Sequence, residues 1–242
     1  MKKIILLSGI LMASVFVFAQ KTEFNDPDAE LRDAKNFHGI SVSNAFDVYL
    51  SQGNDEAVAV SASETKVRDK IKVEVKDGML HIYLEGDQKF WRIFKGNRLK
   101  LKAYISFKTL DKIRVSGACD VRMSGTLTSD NLDVNLSGAS DWKEGKLDVK
   151  KLDVNISGAS RMSVTGSAAN IDVDASGASD FKGYDFTVDY CDAKASGASN
   201  VSITVNKELS ARASGASNVR FKGEGLIRNI HTSGASNISR RS

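Results

Sequence analysis

Seven Ser-Gly-Ala tripeptides punctuate the carboxy-terminal half of the chain, at Ser116-Gly117, Ser137-Gly138, Ser157-Gly158, Ser176-Gly177, Ser196-Gly197, Ser214-Gly215 and Ser233-Gly234. Successive motifs lie 21, 20, 19, 20, 18 and 19 residues apart. A period near twenty is the signature of stacked coils. Five residues after each first serine stands an apolar side chain: Val121, Trp142, Met162, Phe181, Val201, Val219 and Ile238. One residue before it come Val115, Leu136, Ile156, Ala175, Ala195, Ala213 and Thr232, and three before it Ile113, Val134, Val154, Val173, Ala193, Ala211 and Ile230. Asp133, Asn135, Asp153, Asn155, Asp172 and Asp174 alternate with these. Period-two alternation marks strands with one face buried and one in water. A helix would need apolar spacings of three and four, and each interior glycine would cost it about 1 kcal/mol.

The expected fold is all-β, a right-handed parallel β-helix (solenoid) with about 18–21 residues per coil. Glycine at each corner supplies a tight bend, small Ala and Ser neighbours let corners stack, and the serine hydroxyls can bond along the ladder. A looser second bend is expected at Gly125, Gly145, Gly166, Gly183, Asn206 and Gly223. Two strands and two bends then make a flattened coil with facing sheets about 10 Å apart. The change from Val, Leu and Ile to three alanines before the motif predicts a carboxy-terminal end that is thinner or more tightly pressed.

The amino-terminal half is less regular. Ser43-Asn44-Ala45 in the run Val42–Gly53 matches Val115–Gly125, which suggests a degenerate corner in which Asn44 replaces glycine, since Asn tolerates left-handed backbone. Alternating segments around Lys76-Asp77-Gly78-Met79 predict a hairpin over residues 71–84. The expected organisation is a signal peptide at 1–19, a flexible leader at 20–36, an N-terminal β region at 37–110 and the repeat array at 111–242. Met1-Lys2-Lys3, an apolar run and Val17-Phe18-Ala19 carry the signal-peptide reading, and the run is shorter than the ~20 residues a spanning helix needs. No cysteine follows that site, which argues against a lipid anchor, and no other stretch is apolar enough to span. The expected location is exported: periplasm, outer-membrane surface or extracellular.

Composition excludes some partners. Without Lys2 and Lys3, 32 basic side chains face 30 acidic ones. That balance gives no electrostatic case for nucleic acid. The two cysteines, Cys119 and Cys191, lie three to four coils apart, about 15 Å at the spacing of stacked strands. They are expected to be free thiols, Cys191 as a small core residue.

No catalytic constellation emerges. His38, His81 and His231 have no cysteine or carboxylate at ligand spacing, and no nucleophile elbow, phosphate loop or metalloprotease motif occurs. A serine repeated in every coil reads as a ladder and not a nucleophile. Four residues after each motif start run Asp120, Asp141, Arg161, Asp180, Asn200, Asn218 and Asn237. Calcium would need several of these oxygens to converge on one ion, so a hydrogen-bonded Asp/Asn ladder is expected, with no metal and no cofactor. The remaining contact patch is Phe90, Trp91, Arg92, Phe94 and Lys95, aromatic residues interleaved with basic ones. It suits a glycan, a lipid headgroup or a protein surface if exposed, and otherwise plugs the coil.

The signal peptide, the irregular β half and the carboxy-terminal Ser-Gly-Ala-Ser-Asp/Asn coils together resemble the head GIN domain family of exported bacterial proteins, over about residues 37–239. The resemblance implies a right-handed β-helix shaped like the pectin lyases, no recognised catalytic residues and a suggested adhesive role. The departures are Ser-Gly-Ala where many relatives have Gly-Ser-Gly, and the lack of an autotransporter's barrel, stalk or secretion motif. The first expectation is a non-catalytic surface or periplasmic module that binds a glycan or a surface protein. The second is a structural envelope component, a homo-oligomer formed by coil stacking or edge pairing. A polysaccharide lyase or hydrolase, and then ice or mineral binding by the serine ladder, are more distant.

Overall fold

The computed structural model describes residues 26–86 and 100–241. The expected signal peptide, the first residues of the leader and the patch of Phe90, Trp91, Arg92, Phe94 and Lys95 lie outside them. Strands dominate. The first half contains β1 (Glu30–Arg32), β2 (Gly39–Val42), β3 (Phe46–Gln52), β4 (Ala57–Ala62), one turn of helix α1 (Thr65–Arg68), β5 (Ile71–Lys76), β6 (Met79–Leu84), β7 (Leu101–Phe107) and β8 (Lys112–Val115). The chain then coils through β9 (Asp120–Leu136), β10 (Asp141–Ile156), β11 (Arg161–Ser163), β12 (Thr165–Ala175), β13 (Asp180–Ala195), β14 (Asn200–Ala213), β15 (Asn218–Lys222), β16 (Leu226–Thr232) and β17 (Asn237–Arg240). The strands form a β-solenoid of about six turns.

Register holds from coil to coil. Val48, Val121, Trp142, Met162, Phe181, Val201, Val219 and Ile238 stack as consecutive parallel partners. Each rung hydrogen-bonds to the next, so the backbone of the inner coils is satisfied without a second chain. The core is correspondingly dry: Val121, Trp142, Met162, Phe181, Val201 and Val219 are all 0% exposed.

Each coil has three straight runs where the sequence suggested two. β13 and β14 pair over Asp180–Gly183, then Thr187–Val188, then Tyr190–Ala195, with register shifts between. The third run arises because two outward residues follow one another, as Lys150 and Lys151 do between buried Val149 and Leu152. The coils that carry Ala175, Ala195 and Ala213 also bury Phe181, Phe186 and Phe221, so volume lost in one run is supplied from another.

The amino-terminal half closes one end. β2 lies against β8 and β3 against β9, both parallel, as one more coil. Beyond it the ladder turns antiparallel, β6 to β5 on one side and β7 to β4 on another. The β5–β6 turn uses positive φ at Asp77 and Gly78, and fully buried Val67 of α1 joins the same core. The expectation of a loose leader is corrected over residues 26–36. β1 pairs antiparallel with β4, Ala34 is buried, and Asp26 accepts hydrogen bonds from Lys102 Nζ and Tyr104 Oη, both at 2.8 Å. The segment lacks an alternating pattern because its anchors are a carboxylate and a single small apolar residue.

Candidate functional site

The Ser-Gly-Ala corners serve the stack. Each corner glycine has positive φ, and the alanine N–H after it donates to the corner carbonyl one coil below, that of Asn44 for Ala118 and of a glycine elsewhere, as Ala159 does to Gly138 at 2.7 Å. The serine that follows in the repeat is buried at Ser140, Ser160, Ser179, Ser199 and Ser217. Its hydroxyl is used locally: Ser217 Oγ donates toward Ala195 O at 2.9 Å and Ser214 O at 2.8 Å. Cys119 takes this place in the first motif, its Sγ 3.4 Å from Ser116 O. None of these hydroxyls faces a cleft with a base beside it.

The Asp/Asn column beside the corners is also self-contained. Asn200 Nδ2 donates to Asp180 Oδ1 at 2.9 Å and Asn218 Nδ2 to Asn200 Oδ1 at 3.0 Å. Arg161 stands between Asp141 and Asp180, 3.7 and 3.6 Å away, and Lys143 pairs with Asp120. Amide donors thus take one oxygen each of Asp180 and Asn200, and cations face Asp120, Asp141 and Asp180. Among the described residues no group of His, Cys, Asp and Glu is arranged to hold a metal ion.

The third run carries chemistry that is less fully matched. Asp133, Asp153, Asp172 and Asp192 stand outward on four consecutive rungs. Rungs lie about 4.8 Å apart, and like charges directly opposite one another destabilise a sheet. Cations interleave: Lys112 is 3.6 Å from Asp133, Lys151 is 3.2 Å from Asp153 and 3.7 Å from Asp172, and Arg212 is 3.8 Å from Asp192. Three cations for four carboxylates leave the row acidic. Burial among these side chains, then a hydrogen bond and charge from Asp153, push the Asp172 carboxyl above its ordinary range. Lys151 is held above its own by the bond to Asp153. Asp192 Oδ1 is buried without a hydrogen-bond partner among the described residues.

Two shallow depressions follow this row, of about 460 and about 280 Å³. They share Asp172 and Asp192, and the smaller is also lined by Tyr190, Glu208 and Arg228. Tyr190 is 42% exposed, and Lys207 Nζ lies 5.5 Å from its ring centre. The arrangement offers a row of acceptors at rung spacing beside one aromatic face. The sequence shows these aspartates as a water-facing column. It does not single them out, because their unequal pairing depends on which cations reach them. Tyr190 had a weak signal, the aromatic member of the column Lys151, Asn170, Tyr190 and Glu208.

A family model described as putative auto-transporter adhesin, head GIN domain, matches residues 36–225. The chain belongs to the head GIN domain family. The fold of this head GIN domain is shared by crystal structures of distant relatives. A putative adhesin from Bacteroides fragilis superposes with a TM-score of 0.76 at 20% identity, covering 88% of this chain and 96% of that one. A putative adhesin from Parabacteroides merdae gives 0.67 at 16%, covering 88% and 95%. A protein from Parabacteroides distasonis named as a putative lipid binding protein gives 0.62 at 18%, covering 88% and 98%. No curated protein matches the sequence. The family and these structural neighbours are named as putative adhesins or, in one case, as a putative lipid binding protein, and not as enzymes. Among the described residues no helix is long and apolar enough to cross a membrane.

Proposed function

We propose that this head GIN domain is an exported, non-catalytic adhesion module that holds a hydroxyl-rich glycan along the row Asp133, Asp153, Asp172 and Asp192, with Tyr190 as its stacking face. The observation that carries the reading is the row itself. Carboxylate oxygens repeat along one flat face, able to accept hydrogen bonds from successive hydroxyls, and an exposed ring offers a sugar a flat apolar surface. The family description as an adhesin and the signal-like start at residues 1–19 support export, to the periplasm, the outer-membrane surface or beyond. A glycan array probed with the wild-type chain and with Tyr190→Ala tests it. Binding that is lost in the variant while the thermal midpoint is kept supports the reading, and identical profiles count against it.

A second reading, self-association by edge pairing, is favoured by one observation. β16 pairs with β14 alone among the described strands, and its Leu226, Ile227 and Ile230 are exposed. Sedimentation of wild type against Ile227→Lys separates this reading from the first, because only an edge-paired oligomer dissociates on that change.

A further inference from the structure

The bend between the first and second runs breaks the repeat in three consecutive coils. β10 slips register against β9 between Trp142 and Lys146, the strand is interrupted at Val164 between β11 and β12, and β13 slips against β14 between Gly183 and Thr187. These breaks leave a cleft of about 530 Å³ lined by Lys143, Lys146, Val164, Lys182 and Tyr184, with Glu144 and Asp185 also on its wall. Lys143 is held by Asp120. Lys146 and Lys182 form no ion pair among the described residues, and neither do Glu144 and Asp185. Two further cations lie over the Tyr184 ring, Lys222 Nζ at 5.1 Å and Arg241 Cζ at 5.2 Å from its centre. The local balance is positive.

Two hydrogen-bonding groups at this bend have no partner among the described residues. Tyr184 Oη is buried and unbonded, and so is Nε1 of the fully buried Trp142. The indole nitrogen lies against Gly145, which lines the cleft: a Cβ on Gly145 would meet it at 2.4 Å. Both groups can donate. The bend carries more cations than carboxylates, the reverse of the aspartate row, from which the second run of each coil separates it.

We infer that this cleft binds the anionic groups of an acidic polysaccharide, with Lys146 and Lys182 as its charge contacts. A carboxylate or sulfate oxygen would accept from the lysines, and such charge-assisted bonds are the stronger kind. A bilayer is the poorer fit, because none of the exposed large apolar side chains lines the cleft to anchor in one.

The test is calorimetric titration of the full chain with polygalacturonate, heparin and uncharged dextran, at low and high salt. The proposal expects at least one polyanion to bind, weakening as salt rises, and dextran not to bind here. Lys146→Gln with Lys182→Gln should lower polyanion affinity about ten-fold or more. Lys150→Gln, which removes a lysine paired with Asp130 at the other bend, should not change it. Absence of binding to both polyanions would overturn the site, as would an equal loss in Lys150→Gln. So would tighter binding to phosphatidylglycerol vesicles than to either polysaccharide.

Discussion

A methyl group on Gly158 would lie 2.4 Å from the carbonyl oxygen of Gly138, and Gly158 holds φ at +74°. The corner therefore excludes a side chain twice, by backbone conformation and by the coil beneath. Gly125 separates the two effects: its φ is +75°, and a Cβ there would meet no atom within 4 Å. Gly125→Ala should cost roughly 1–2 kcal/mol from the left-handed backbone alone. Gly158→Ala should cost clearly more, because two stacked coils must part. Urea melts of the two variants check the order, and equal losses would mean that the corners are not closely stacked.

Much of this architecture is legible in the sequence, and the misses have physical causes. The corner glycines and the columns at Val121 and Val115 show themselves through strict repetition. Asn44 also fits its place, with φ of +80° and its side-chain oxygen accepting the Leu84 N–H at 2.9 Å, where the next corner below would otherwise be. The third run is hidden because its bend is made by two consecutive polar residues, such as Lys150 and Lys151, with no glycine to mark it. The lysine cleft is hidden for a related reason: it arises from slips between coils of unequal length. Those lengths are visible as uneven motif spacings, but the direction in which a bulge opens is not.

Both thiols are buried and free. Burial, opposed only by the Phe46 N–H and aided by Asp120 and Asp47, raises Cys119 to about 11, and burial raises Cys191 further. Since the thiolate is the reactive form, neither should label with iodoacetamide at pH 7.5 in the folded protein. Both should label in urea without reductant. Mass spectrometry reads the two counts, and a denatured chain that stays unlabelled would contradict the register that places these residues on separate runs.

Asp172 is the most crowded member of the acidic row, with Asp153 and Asp192 on the rungs either side. Its folded carboxyl titrates above the unfolded value, so its charge costs stability at neutral pH, and this cost shrinks as pH falls through the folded value and is gone below the unfolded one. Asp172→Asn should therefore raise stability at pH 7 by about 0.2–1 kcal/mol, the usual size of a cross-strand charge term. The gain should shrink in acid. A loss at pH 7 would show that the contact with Lys151 outweighs the crowding.

Asp26 behaves in the opposite sense. Burial opposes its ionisation, but the bonds from Lys102, Tyr104 and the Asp28 N–H outweigh it and hold the carboxyl at about 2. A carboxyl lower in the folded chain than in the unfolded one contributes stability that is complete above the unfolded value, near 3.9, and is lost as pH falls through the folded value. The packing of β1 on β4 should loosen between about pH 4 and pH 2. Amide exchange at Glu30–Arg32 should accelerate over that window beyond the intrinsic pH dependence. In Asp26→Asn the acid-dependent step should be absent.

The proposed role is tested most directly by following one glycan hit through binding and turnover in the same sample, with wild type, Tyr190→Ala and Asp172→Asn. Saturable binding that weakens in both variants, with no new reducing ends or unsaturated products after prolonged incubation, is the predicted result. Product formation abolished by Asp153→Asn or Asp172→Asn would contradict it and make the row a catalytic site.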